Sequence, residues 1–293
     1  MHFVTAKQLL SADNGMNLYR GCQHGCIYCD SRSLCYHMDH LFEDIEVKEN
    51  ALELLERTLR ARKKRCMIAT GAMTDPYIPL EEELRYTRRA LELIHRYDFG
   101  IAIQTKSARI LRDLELLRAI NEKTKAVVQM TLTTMDDDLC RILEPNVSVT
   151  SERIQTLKRF REAGIPTVVW LCPILPYIND TRENVQGLLE GCVDAGVKGV
   201  LCFNMGLTLR DGNREYFYRQ LDRHFPGLKE QYIRQYANRY EINSPRNQEL
   251  MALYHEICEK AGMMHDVRQI FTYLHTFEEK QPVQMSFFEK PEG

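Results

Sequence analysis

The sequence has no apolar run long enough to cross a bilayer: its longest apolar stretches, 166–173 and 197–203, fall well short of the ~20 residues a spanning helix needs. It has no excess of one charge either. With 39 Lys and Arg against 41 Asp and Glu the net charge is -2, so no global basic field draws the chain onto nucleic acid, and any such site must be a local patch. The opening residues, Met1 to Lys7, lack the charged start and long apolar block of a signal peptide, and the expectation is a cytoplasmic protein. There is no low-complexity tract and no internal repeat beyond an alternation of strand-like and helix-like segments. What is present is ordinary globular composition, 44% hydrophobic and 27% charged over 293 residues, enough to bury a core in one large domain.

Short β-rich runs at 16–20, 66–70, 100–104, 126–133, 166–172 and 197–204 alternate with segments whose apolar residues recur at helical spacing. Ala51/Leu52/Leu55/Leu59, Leu84/Thr87/Leu91/Ile94 and Val185/Leu188/Leu189/Cys192 each make one buried stripe. Asp180 with Glu183 resembles a capping pair, and Gly164 and Gly196 stand where helices end. The pattern predicts an α/β fold, a partial (β/α)6 TIM-type barrel over 1–205, with all strand C-terminal ends on one rim. Residues 206–277 read as a helical C-terminal extension packed on the barrel, without clear strands, and 278–293 as a flexible tail.

Of ten cysteines, seven fall at positions typical of small buried hydrophobes: Cys66, Cys172 and Cys202 in apolar strand-like runs, Cys192 and Cys258 on helical patterns, Cys35 and Cys140 alone. Cys22, Cys26 and Cys29 instead crowd into one loop after the first strand candidate. Thiols of a cytosolic protein serve metals or catalysis more often than disulfides. Three close thiolates suit an iron–sulfur cluster that leaves one iron to another ligand. Zinc is the alternative, with His24 or Cys35 completing four ligands, although no second Cys/His pair lies at zinc-finger distance.

The stretch Asn17-Leu18-Tyr19-Arg20-Gly21-Cys22-Gln23-His24-Gly25-Cys26-Ile27-Tyr28-Cys29-Asp30 resembles the signature of the radical S-adenosylmethionine (SAM) superfamily, in the form carried by its spore photoproduct lyase-like branch. The resemblance implies a 4Fe-4S cluster on Cys22, Cys26 and Cys29. It implies SAM chelating the open iron and cleaved reductively to methionine and a 5'-deoxyadenosyl radical, which takes hydrogen from a substrate; an electron donor such as flavodoxin or ferredoxin is then needed. It also implies cofactor-binding parts for Tyr28 on the adenine side, Thr74 and Asp75 near the amino group, Lys106 at the carboxylate, Glu144 and Arg153 near ribose and carboxylate, and Asn204 at the end of the sixth strand. The turn from Pro173 to Asp180 would shape the adenine pocket. One departure stands out: where that branch has a hydrogen-returning cysteine just ahead of Thr74 and Asp75, this chain has Ala72 and Met73. Cys35, Cys140 or a tyrosine are the stand-ins, and nothing in the sequence selects one.

Between Arg214 and Arg246 arginines interleave with Tyr216, Tyr218, Tyr232, Tyr236 and Tyr240. Such a surface can stack bases and neutralise phosphates, while the four-residue spacing of Tyr232, Tyr236 and Tyr240 equally makes a packing stripe. Gln284-Met285-Ser286-Phe287-Phe288 resembles the short peptide by which bacterial repair and replication proteins dock on the sliding clamp. The combined expectation is a radical enzyme acting on a damaged or modified nucleic-acid base, a DNA-repair lyase or a transferase. The alternatives are a peptide or small-molecule substrate, or a non-catalytic iron–sulfur protein recruited to the clamp.

Overall fold

A computed structural model describes residues 1–280; the clamp-like peptide Gln284 to Phe288 lies outside them. The chain opens with β1 (His2–Val4), β2 (Gly15–Met16) and β3 (Tyr19–Arg20), then two short 3-10 turns, and continues with β4 (Glu46–Lys48), α1 (Ala51–Ala61), β5 (Met67–Thr70), α2 (Glu81–Leu84) and α3 (Tyr86–Arg96). Next come β6 (Gly100–Thr105), α4 (Leu114–Lys123), β7 (Ala126–Leu132), α5 (Asp137–Leu143), α6 (Thr150–Glu162), β8 (Thr167–Leu171), α7 (Arg182–Ala195) and β9 (Gly199–Leu201). The remainder is β10 (Gly206–Thr208), α8 (Asn213–His224), α9 (Leu228–Tyr236), β11 (Glu241–Asn243), α10 (Asn247–Ala261) and α11 (Val267–His275).

Six parallel strands form the main sheet in the order β2-β5-β6-β7-β8-β9. Chain order and sheet order coincide, as in a singly wound barrel left open, so the strand C-termini share one rim. The outward residues Ile101, Ile103, Val128, Met130, Val169 and Leu171 pack against buried Leu55, Leu91, Leu117, Leu157 and Leu188 of the surrounding helices. The opposite parity, Met67, Ala102, Val127, Val168 and Leu201, packs on Ile270 and Leu274 of α11, so α11 fills the inside of the barrel at one end. Where α11 packs, the strands therefore bury both faces, which is why they read as apolar runs rather than alternating ones.

Several boundaries differ from the sequence expectation. The first strand candidate is two strands: β2 pairs with β5, while β3 joins β4 in a separate three-stranded sheet with β1. The sixth strand stops at Leu201, which leaves Asn204 exposed in the turn before β10. The region read as free of strands contains the antiparallel pair β10 and β11; each is only three residues long, too short to show a period. Asp180 does not cap α7: Thr181 does, accepting from Asn184 N, while Asp180 takes the Ser244 hydroxyl. The stripe from Leu84 to Ile94 crosses two helices, broken at Arg85 (φ 53°). Among the described residues no helix is long and apolar enough to cross a membrane.

Candidate functional site

Gly21 carries the chain from β3 into the cysteine loop with φ 87°, and a Cβ there would meet Phe42 O at 2.5 Å; only glycine suits this position. Cys22 N then donates to Phe42 O at 3.0 Å, and Ile27 N to Leu143 O at 2.9 Å. Asn146 completes the clamp, its backbone N donating to His24 O at 3.1 Å and its side chain to Gln23 O at 2.9 Å. The loop that holds the three thiols is thus fastened to the 143–146 segment across the rim. It is also covered: Cys26, Ile27 and Tyr28 lie in one cluster with Phe217, Leu221, Tyr232 and Tyr236 of the extension.

Cys22 and Cys26 are buried and Cys29 half-buried, all free thiols. Burial pushes the Cys22 thiol up to about 12 and Cys26 well above the ordinary value. The three sulfurs do not all lie within 4.8 Å of one another. Among the described residues, the one group of three or more His, Cys, Asp and Glu whose ligand atoms all lie within 4.8 Å of one another is His2, His40 and Asp44. Ligands of a tetrahedral zinc at 2.3 Å sit about 3.8 Å apart, so at least one pair among the three sulfurs stands wider than a single zinc would hold it. Cys35 is exposed and meets the Arg210 guanidinium at 3.2 Å.

Across the rim, Glu144 and Arg153 are both buried and meet at 2.5 Å. Arg153 also donates from Nη1 to Thr131 O at 2.9 Å and from Nε to Ser148 O at 2.7 Å. The Tyr28 hydroxyl donates to the other oxygen of Glu144. Burial opposes the charge on Glu144, but Arg153 and Lys106, with the hydrogen bonds from Tyr28 and Arg153, hold its carboxyl below the usual range. Burial and the Glu144 charge push the Tyr28 phenol well up. Cys140 is locked into the same network, its sulfur 3.4 Å from Arg153 Nη2 and 3.5 Å from Glu144 Oε2.

Asp75 sits in the loop after β5 with both oxygens engaged. Thr105 Oγ1 and Tyr77 N donate to Oδ1 at 2.7 and 2.8 Å, Lys106 N to Oδ2 at 2.7 Å, and His24 Nδ1 stands 3.4 Å from Oδ2. Against the cost of burial, His24 and these donors bring its carboxyl down to about 2. Asp75 therefore ties the β5 loop, the end of β6 and the cysteine loop together, and the other ring nitrogen of His24, Nε2, is buried without a partner among the described residues. Thr74 is buried beside it. The Lys106 ammonium enters no side-chain hydrogen bond or ion pair among the described residues; burial works against its charge, yet Cys26, Glu144 and Asp75 more than offset this and raise its pKa. Asn204, exposed on the opposite edge strand's turn, is outside this network.

The model of the radical SAM superfamily matches residues 16–190. The chain belongs to the radical SAM superfamily. An uncharacterized protein of Mycobacterium tuberculosis (strain ATCC 25618 / H37Rv) is 30% identical over 223 residues, covering 74% of this chain, which spans 65% of the length of that relative. An uncharacterized protein of Methanocaldococcus jannaschii is 30% identical over 169 residues, 57% of this chain and 62% of its own. Among solved structures, spore photoproduct lyase complexed with dinucleoside spore photoproduct superposes with TM-score 0.64 at 14% identity, covering 88% of this chain and 78% of that one. That likeness establishes a shared fold, the partial barrel with its added helices.

Radical SAM proteins use a 4Fe-4S cluster and SAM, and the residues here fit both. Three thiols in one braced loop suit a cluster with one iron left over. A loop glycine, Gly71, approaches the end of β6 so closely that a Cβ would lie 2.0 Å from Gln104 O, and the Lys106 ammonium, unpaired among the described residues, is within electrostatic reach of Cys26. Cys172, read from its apolar strand-like run as a small buried hydrophobe, is instead half-buried one residue past β8 and within the electrostatic reach of Lys106. The two-residue step from Val168 through Trp170 to Cys172 is the signal that points it inward.

Proposed function

We propose that this radical SAM protein is an enzyme in which Cys22, Cys26 and Cys29 hold the cluster, and that its substrate is a damaged or modified base of a nucleic acid. The observation that carries the enzyme reading is the pairing of a three-thiol loop with the cation Lys106, which has no side-chain partner among the described residues and whose charge is favoured by Cys26. When bound, the reduced cluster and SAM supply a carbon-centred radical that takes hydrogen from the substrate. The chain's residues do the rest. Lys106 pairs with a carboxylate, the 71–74 loop and Thr74 offer polar contacts to an amino group, and Asp75 positions both segments from beneath. Glu144 and Arg153 satisfy each other and Tyr28, so they brace the pocket wall, and the extension over the cysteine loop excludes water.

The nucleic-acid reading is supported by the fold shared with a lyase whose structure holds a dinucleoside photoproduct. The extension contributes less to it than its Arg/Tyr pattern implies, because Tyr232 and Tyr236 are core residues. A flavodoxin- or ferredoxin-type donor for the electron, a cytoplasmic setting and a sliding clamp bound through Gln284 to Phe288 complete the proposal. Deleting that peptide should abolish clamp capture in a pull-down, and equal capture by both forms removes the clamp from the scheme.

Anaerobic reconstitution, dithionite and SAM test the enzyme reading by the appearance of 5'-deoxyadenosine, with oligonucleotides added in parallel. Its absence with both DNA and RNA present rules the activity out. Nucleic-acid binding that weakens steeply with salt supports the substrate class, since phosphate contacts release counterions; stimulation by peptides or small molecules alone favours that alternative.

A further inference from the structure

Strand alternation leaves part of the barrel's inner face open. Ala102, Val127 and Val168 face α11, and two residues further along the same strands stand Gln104, Gln129 and Trp170, which share that face because strand side chains alternate. Register sets Gln104 opposite Gln129 and Thr131 opposite Trp170. Ala69, Gln104, Trp170 and Cys172 are all only half-buried, although their strands are backed by helices on the outer side. Phe203, two residues past inward-facing Leu201, is 51% exposed. These residues are thus less sealed than the inner positions against α11, while Gln129 and Thr131 between them are buried.

Two chemistries meet there. Trp170, Phe203 and Phe271 form an aromatic wall, with ring centroids 6.2 Å apart for Trp170 and Phe203, 6.0 Å for Trp170 and Phe271 and 6.4 Å for Phe203 and Phe271. Beside it the Trp170 indole donates to Gln129 Oε1 at 2.8 Å, which fixes that amide and leaves its NH2 to donate. Gln104 Nε2 reaches Thr131 Oγ1 at 3.5 Å, leaving its carbonyl as an acceptor. The Thr133 hydroxyl, next on the same parity, is buried with no partner among the described residues. An aromatic surface flanked by an oriented donor and acceptor suits a flat ring with a polar edge. A purely apolar ligand would leave these amides unpaired and is disfavoured for that reason. Lys106 stands two residues beyond Gln104, and its charge reaches Cys172, two beyond Trp170, so this face is continuous with the cofactor side of the rim.

We propose that this inner face is a nucleobase subsite in which Trp170 and Phe203 stack on the ring and Gln104 and Gln129 bind its edge. The proposal rests on the nucleic-acid reading above. Trp170 is the chain's single tryptophan, so emission from the full-length, cluster-reconstituted protein reports on this face directly. Titration with a single-stranded oligodeoxynucleotide should quench it saturably, and an abasic oligonucleotide of equal length should not. Trp170→Ala and Phe203→Ala should each weaken binding of a labelled oligonucleotide about tenfold, with cluster absorbance and melting temperature confirming that the variants fold. Binding without quenching, and with unchanged affinity in both variants, overturns the subsite and leaves the nucleic-acid reading standing. Quenching by aromatic peptides but by no oligonucleotide or nucleoside overturns both.

Discussion

Glu144 and Arg153 face each other at 2.5 Å with neither side chain reaching solvent, and Tyr28 of the cysteine loop hangs from the same carboxylate. A buried pair of this kind costs much desolvation to form, and breaking it on one side strands a charge. Glu144→Gln and Arg153→Met should each lower unfolding free energy by about 3–5 kcal/mol, measured by urea denaturation. Their double variant should lose less than the sum, because the two act as one unit; strict additivity would mean that the pair is not coupled.

Asp75 carries a pH signature. Its carboxyl lies near 2 in the folded chain against an ordinary 3.8, so the folded state binds fewer protons than the unfolded one between those values. The stabilisation is therefore complete above about pH 4 and is lost as pH falls through about 2, amounting to about 2 kcal/mol. Asp75→Asn should be less stable than wild type at neutral pH, with the gap closing on acidification. A gap constant with pH would show that Asp75 acts through shape and not charge.

The cluster assignment separates the cysteines. Cys22→Ala, Cys26→Ala and Cys29→Ala should each lose iron and the broad near-visible absorbance after anaerobic reconstitution, whereas Cys35→Ala and Cys66→Ala should retain about four irons per chain. Normal iron content in any of the first three, or its loss in Cys35→Ala, would reassign the ligands.

Gly71 is held with φ 103°, where a Cβ would overlap Gln104 O at 2.0 Å. Backbone against backbone cannot yield by a rotamer change, so Gly71→Ala should cost about 3 kcal/mol or more and weaken SAM binding beyond the drop in melting temperature. Wild-type affinity measured by equilibrium dialysis on the folded fraction would remove the 71–74 loop from the cofactor site.

The cysteine loop and five of the six strands are legible in the sequence because each rests on local pattern, thiol spacing within one loop and runs of apolar residues that must bury two faces; the two-residue β2 shares only Met16 with its candidate run. The helical stripe Val185/Leu188/Leu189/Cys192 is buried as its periodicity requires. The tyrosine stripe of the extension has one sequence and two readings, and burial of Tyr232 at 0% and Tyr236 at 5% decides for packing. Period reports which residues share a face, but not what that face meets.

The sequence by itself determined that this chain carries a three-cysteine loop on a parallel βα scaffold, since spacing and periodicity are properties of neighbours along the chain. Only the tertiary structure decided that the loop is launched from the small β3 sheet and clamped by Asn146, and that Asp75 braces Lys106 and His24. It also turned Trp170 and Gln129 to one open inner face. Those relationships join residues tens of positions apart, and they follow from strand order and register, which a linear pattern does not specify.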